Sequence, residues 1–265
     1  MTAIWGRRAH DAGGSTFGEV LATIAGQGFR SLQLAPTKSL GFTHEMLSPD
    51  FAADLRAELD SAGLRVAILG SYFDLNARGA AGEAVLTRYF DHLQLADWGG
   101  FPVIGTETGK IAADAPDFEE AFAAVVHNLG VILEAAEKLG IVVAVEPVFG
   151  HTIHDAAQME RLLAHYPTPH LRVIFDPVNL LDPAEEADRA EMWQDFVDRL
   201  SDRFAAVHVK DYRIDDGVKI DLPAGTGRME YGFLEVLARS QPQLDFLIEA
   251  APDEHIPAIR ELFAF

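Results

Sequence analysis

The run Ile141-Val142-Val143-Ala144-Val145-Glu146-Pro147 decides the fold. Its apolar residues follow one another without alternation. That pattern marks a strand buried on both faces, as in a parallel sheet. Proline has no N–H for the ladder, so the strand is predicted to stop at Glu146. Three later stretches carry the same punctuation. Arg172-Val173-Ile174-Phe175 ends in Asp176-Pro177, Phe204-Ala205-Ala206-Val207 ends in His208, and Leu244-Asp245-Phe246-Leu247-Ile248 ends in Glu249. A charged group at the carboxyl end of a buried parallel strand sits where α/β folds place their chemistry.

Working outward, the chain reads as strand and helix in strict alternation. Thr2–Trp5 is a weak first strand and Arg7–Gly14 a polar loop. Thr16 and Glu19 have capping-box spacing and open a helix to about Gln27. Phe29–Leu34 is the second strand. Ser48-Pro49 opens a helix that stops at Gly63, and Leu64–Leu69 is the third strand. Ala81–Trp98 is helical, Phe101–Thr106 is the fourth strand, and Asp117–Leu139 is a long amphipathic helix closed by Gly140. Helices are predicted over His154–His165, Glu185–Asp202, Glu230–Ser240 and Pro252–Phe265, with a long polar loop over Asp211–Arg228. Eight strand–helix units imply parallel pairing, and 265 residues suit one eight-fold barrel. The expectation is a single (β/α)8 TIM barrel spanning residues 1–265, with no linker.

Composition narrows the partners. The formal net charge is −20, from 41 acidic against 21 basic residues. Nucleic acid and anionic membranes attract basic surfaces, so neither is expected as a partner. Without cysteine, disulfides and thiolate metal sites are excluded. Met1–Gly14 has no apolar signal core and no stretch approaches a membrane span, which makes a cytoplasmic protein the default expectation. No phosphate-binding Gly-Lys-Ser/Thr stretch or strand-linked Gly-x-Gly-x-x-Gly occurs, so no nucleotide cofactor is expected.

In a closed barrel the four strand endings converge on one mouth. Two Glu, one Asp and one His there suit a divalent cation such as Mn²⁺, Co²⁺, Mg²⁺ or Zn²⁺. Three crowded carboxylates repel, and a cation removes that conflict. Taken singly, each could equally be a solvated strand-end residue or a helix cap. Val145-Glu146-Pro147, Phe175-Asp176-Pro177, His208-Val209-Lys210-Asp211 and Ile248-Glu249 together resemble the metal-site strands of the xylose isomerase-like sugar isomerases and epimerases. The resemblance is strongest from Val143 to Glu249. The His-x-Lys-Asp element and the Gly225-x-Gly227 turn are fairly specific to that superfamily, but not to one reaction.

The resemblance implies that Glu146, Asp176, His208 and Glu249 hold the metal. It also implies that Glu146 and Glu249 form an acid/base pair, moving a proton beside a carbonyl through a metal-stabilised enediolate. The substrate would be a small sugar or hydroxy-carbonyl compound, and the family's habit of forming dimers or tetramers implies a homo-oligomer. Two positions depart from the epimerases. Asn179 stands where a substrate-contacting His is common, and Thr152 where some carry Glu; His151, on the same rim, could fill the polar role. A dehydratase of a polyol ketone uses the same enolisation and stays open. An apurinic endonuclease would need several more His ligands and fits an acidic chain poorly. A barrel keeping its metal only as a staple is the non-enzymatic alternative.

Around these, Glu107 either contacts substrate or caps a helix. Lys210 either binds a substrate anion or, by preference, neutralises the acids. Asp211 reads as structural. His10 is a candidate substrate contact in the first loop, Tyr72 and Asp74 are rim residues, and Trp5 reads as core rather than as a sugar platform.

Overall fold

The computed structural model describes residues 3–111 and 114–264. Eight strands close into a barrel: β1 (Ile4–Arg8), β2 (Ser31–Leu34), β3 (Arg65–Gly70), β4 (Val103–Thr106), β5 (Val142–Val145), β6 (Leu171–Phe175), β7 (Phe204–Val209) and β10 (Asp245–Ile248). Every neighbouring pair is parallel, and β10 pairs with both β7 and β1 to shut the ring. The predicted (β/α)8 TIM barrel is the fold. Helices α1 (Phe17–Gly26), α3 (Pro49–Ala62), α4 (Gly79–Gly99), α5 (Phe118–Leu139), α6 (Ala156–His165), α8 (Arg189–Leu200), α9 (Gly232–Ser240) and α10 (Ile256–Phe263) make the outer layer. Two short helices, α2 (Pro36–Leu40) and α7 (Pro177–Leu180), follow β2 and β6 at the mouth.

Local sequence sets several boundaries. Thr16 accepts from the Glu19 amide, while the Glu19 carboxylate takes the Ser15 amide and hydroxyl, so the box closes one residue earlier than the standard pattern. Ser48 accepts from the Phe51 amide with Pro49 at the first helical position. Gly63, Gly100 and Gly140 end their helices in the left-handed conformation, which glycine adopts without a Cβ penalty.

Strand alternation fills the barrel. Ala144, Ile174, Ala206 and Leu247 point inward and pack with Ala67 and Ile68. Gly105 belongs to this layer because a Cβ there would lie 2.5 Å from Ile68 and 2.8 Å from Ile174. The floor is polar: Ser31 donates to Asp245 at 2.6 Å, and Arg65 bridges both Asp245 oxygens at 2.8 Å. One step above the apolar layer, the same faces deliver the mouth residues.

Four expectations are corrected. The first strand is Ile4–Arg8, not Thr2–Trp5, so it takes Arg7 and Arg8 from the predicted loop, and a 3-10 turn follows at Ala9–Asp11. Two adjacent arginines disguised a buried strand: Arg7 is fully buried facing outward, clasped by Gln27, Asp253 and the Asp11 and Ala251 carbonyls. Thr2 and Phe265 lie outside the described residues. The Asp211–Arg228 loop contains an antiparallel hairpin, β8 (Asp211–Asp215) with β9 (Val218–Leu222). Its turn is Asp216-Gly217, both at positive φ (49° and 79°), a conformation that favours the two-residue hairpin. The helix predicted over Glu185–Asp202 is α8 flanked by 3-10 turns at Pro183–Asp188 and Ser201–Arg203, with a kink at Glu185. The final helix starts at Ile256, after a 3-10 turn at Asp253–His255.

Candidate metal centre and acid–base site

The strand endings meet at the mouth. β5, β6 and β10 stop one residue before Glu146, Asp176 and Glu249, whereas β7 runs one residue past His208. The ladder extends through two of the acids: Glu146 N donates to Thr106 O (2.8 Å) and Glu249 N to Val209 O (3.0 Å). Asp176 also caps α7, accepting from Asn179 N at 2.9 Å. All four side chains are buried.

His208 Nδ1 lies 3.5 Å from Glu146 Oε2, 3.5 Å from Asp176 Oδ2 and 3.6 Å from Glu249 Oε1. Among the described residues, neither nitrogen of this ring makes a hydrogen bond, and Asp176 Oδ2 makes none either, although the Lys210 ammonium lies 3.0 Å from it. Buried polar atoms are normally satisfied, so an unbonded imidazole facing three carboxylates calls for a partner. Glu146, Asp176 and His208 each offer a donor atom within 4.8 Å of the others. Glu249 stands just outside that tight trio, with Oε1 3.6 Å from His208 Nδ1. Three hard oxygen donors and one imidazole fit a divalent cation.

The electrostatics agree. Burial alone would lower the His208 pKa, but Glu249, Glu146 and Asp176 hold it well above the ordinary value. Burial would raise Asp176 and Glu249, yet both are held low, Asp176 chiefly by Lys210 and His208, Glu249 by His208, Lys210 and Arg8. The protein's own cations therefore balance the acids, and a divalent ion could take over the charge carried by the His208 proton.

Asn179 joins the pieces. Its Nδ2 donates to Glu146 Oε1 (2.7 Å), and its Oδ1 accepts from Lys210 Nζ (2.8 Å). Lys210 also lies 3.0 Å from Asp176 and 3.5 Å from Glu249, which places it among the acids. Asp211 turns away from the mouth and accepts the amides of Tyr212, Gly225, Gly227 and Met229 and the Tyr231 hydroxyl. Glu107 and His151 sit together on the β4–β5 rim, 3.6 Å apart. Burial, then Glu146, pushes Glu107 up to about 8, and burial with Lys110 pulls His151 down to about 4. His10 is half-buried in the turn after β1, where burial and then Arg8 lower its pKa; its Nδ1 has no hydrogen-bond partner among the described residues. Tyr72 lies at the mouth and accepts from Gln33. Trp5 packs outside the barrel, 4.7 Å from the Phe263 ring and 5.5 Å from Phe246, beside a cavity of about 240 Å³ remote from the acids.

Two residues at the mouth were missed in the sequence. Arg8 reaches Glu249 Oε2 at 3.1 Å while its other nitrogens hold Asp11. Period-two alternation from Gly6 would have found it, had β1 been extended. Asp221 on β9 lies 3.2 Å from Lys210 Nζ. The Asp-Gly turn between alternating segments was its signal.

A closed parallel barrel whose mouth gathers acids around one imidazole defines a class of α/β barrel with its chemistry at the carboxyl ends of the strands. The family model for the xylose isomerase-like TIM barrel matches residues 21–263, and the chain belongs to that family. Solved structures share the fold at low identity. The probable 3-DHS dehydratase AsbF from Bacillus anthracis superposes with a TM-score of 0.78 at 15% identity, over 98% of each chain. The 3-keto-D-glucoside 4-epimerase YcjR from E. coli gives 0.76 at 17%, over 99% of this chain and 100% of its own. The IOLI protein, solved with a bound zinc atom, gives 0.74 at 12%, over 100% and 96%. No curated protein sequence matches the chain. Among the described residues, no helix is long and apolar enough to cross a membrane.

Proposed function

We propose that this barrel is a divalent-metal-dependent isomerase or epimerase of a small sugar or hydroxy-carbonyl compound. The observation that carries the reading is the buried His208 Nδ1, unbonded, with three carboxylates at 3.5–3.6 Å. Glu146, Asp176, His208 and Glu249 would hold the ion, which supplies Lewis-acid polarisation of the substrate carbonyl and offsets enediolate charge. Glu146 and Glu249 flank the substrate. One takes the proton from the carbon beside the carbonyl, and the other returns a proton to the opposite face or to the neighbouring carbon. Asn179 orients Glu146, and Arg8 orients Glu249. The burial of all four ligands excludes water and strengthens each interaction. Epimerases and a dehydratase among the solved structures of this fold support a sugar-like substrate.

Glu107 favours a second reading, a dehydratase of a polyol ketone. Burial, then Glu146, raises its pKa to about 8, and it stands on the rim 3.6 Å from His151, where a proton donor could serve a departing hydroxyl. The test is solvent-deuterium incorporation, followed by NMR, across a panel of ketoses, aldoses and inososes with each of Mn²⁺, Co²⁺, Mg²⁺ and Zn²⁺. Exchange beside the carbonyl is expected. Glu146→Gln and Glu249→Gln should each lower it by roughly 10²–10⁴-fold. Near-normal exchange in both variants would refute the acid–base assignment. Loss of water from a ring ketone, abolished by Glu107→Gln, would select the dehydratase.

A further inference from the structure

The β8–β9 hairpin has no part in the proton transfer above, yet it is tied to the same groups. It leaves the barrel immediately after Lys210. Lys219 and Asp221, two apart on β9, share one face of the ribbon. Lys219 Nζ donates to the Val178 and Leu181 carbonyls, in the segment that follows Asp176. Asp221 Oδ2 approaches Lys210. The inward face of the hairpin is thus mixed: Tyr212 and Ile214 pack on the core, with Tyr212 against Trp193, while Lys219 and Asp221 beside them supply the polar ties to the mouth; Val218, on the other face, is 62% exposed.

Lys210 is the point of contention. Its buried ammonium faces Asn179 Oδ1 at 2.8 Å, Asp176 Oδ2 at 3.0 Å, Asp221 Oδ2 at 3.2 Å and Glu249 Oε2 at 3.5 Å. Three N–H donors cannot serve four acceptors fully. Asp176 and Glu249 are the carboxylates assigned above to a cation, and a divalent ion beside them would repel the ammonium. The other two acceptors, Asn179 and Asp221, stand on α7 and on the hairpin.

We propose that Asp221 is a positioning residue for Lys210: a cation bound by Glu146, Asp176, His208 and Glu249 shifts the Lys210 ammonium onto Asp221 and Asn179, so that metal affinity and the seating of the hairpin over the mouth are linked. The inference rests on the divalent-metal reading. Linkage is reciprocal, so a partner that holds Lys210 off the acids tightens the ion by the same factor by which the ion tightens the hairpin.

The test uses the full chain stripped with EDTA. Mn²⁺ affinity is measured by electron paramagnetic resonance, and hydrogen exchange of residues 218–222 is followed with and without Mn²⁺. The variants are Asp221→Asn, Lys210→Met and the double substitution. Mn²⁺ should slow hairpin exchange in the wild type but not in Asp221→Asn. Asp221→Asn should weaken Mn²⁺ on the order of 10-fold. Lys210→Met should bind Mn²⁺ more tightly than wild type, and Asp221→Asn should then cost nothing further. Equal weakening by Asp221→Asn in both backgrounds would mean simple loss of a nearby charge, and would overturn the proposal. So would hairpin exchange that ignores Mn²⁺ in the wild type. Should Lys210→Met fail to fold, the exchange comparison of wild type with Asp221→Asn, a half-exposed and isosteric change, still decides. A wild type that binds no Mn²⁺ removes the metal reading itself, and that outcome is visible before any variant is compared.

Discussion

At the scale of single residues, burial sets what each ionisable group can do. His92 is a case away from the mouth. It is 3% exposed, bonded to the Ser71 hydroxyl at 2.8 Å and packed edge-on against Phe42 and Phe73. Burial, then Arg88, pulls its pKa down to about 4 from 6.5. The folded state therefore resists a proton that the unfolded chain accepts. Its contribution is constant above pH 6.5, and stability is lost as pH falls from 6.5 to about 4. That shift is worth about 3 kcal/mol. Urea unfolding of His92→Gln against wild type across this range should show the variant losing less stability on acidification, by about that amount. His151, also held near 4, adds a loss of the same sign that the substitution leaves in place. Asp176, His208 and Glu249 show the opposite result, because there neighbouring charges outweigh burial. Glu146 and Asp176 were readable from their strands. Asn179 was readable only as a departure from the epimerases, and its tie to both Glu146 and Lys210 came from the folded chain.

At the scale of elements, the segment from Asp211 to Tyr231 shows one carboxylate organising a loop. Four backbone amides and one hydroxyl converge on Asp211. Gly227 is required there because a Cβ would press into the Asp211 side chain and the Tyr212 carbonyl. An amide offers one acceptor oxygen and brings unwanted donors. Asp211→Asn should therefore speed hydrogen exchange at Gly225, Gly227 and Met229 and cost about 1–3 kcal/mol in unfolding free energy. Unchanged exchange at these amides would show that the loop is held by other contacts. The hairpin within this segment explains the missed reading. Each strand alternates over only five residues, and the register sets apolar residues of one strand beside polar residues of the other, so neither face reads as a continuous apolar surface.

At the scale of the whole molecule, ring closure is the dominant constraint. β1 must meet β10 across nearly the full length of the chain, and Arg7 fastens that seam to Asp253, 246 positions further along. Closure also brings the four candidate ligands together, so ion binding should stabilise the fold itself. Mn²⁺ at about 100 times its dissociation constant should add about 2.7 kcal/mol, read as a rise in melting temperature that EDTA reverses. An unchanged melting temperature would argue that no ion is held by the native state.

The sequence by itself determined the alternation of strands and helices, the parallel barrel, and the acids and imidazole that end its later strands. These are readable because strand burial, proline stops and helix caps act over a few neighbouring residues. Only the tertiary structure decided that Arg8 meets Glu249, that Asp221 meets Lys210, and that Arg7 locks the first strand to the last. Those pairs are drawn together by barrel closure and by the cost of leaving a buried charge alone. Neither cause leaves a local pattern, because the partners lie far apart along the chain and meet only once the ring is shut.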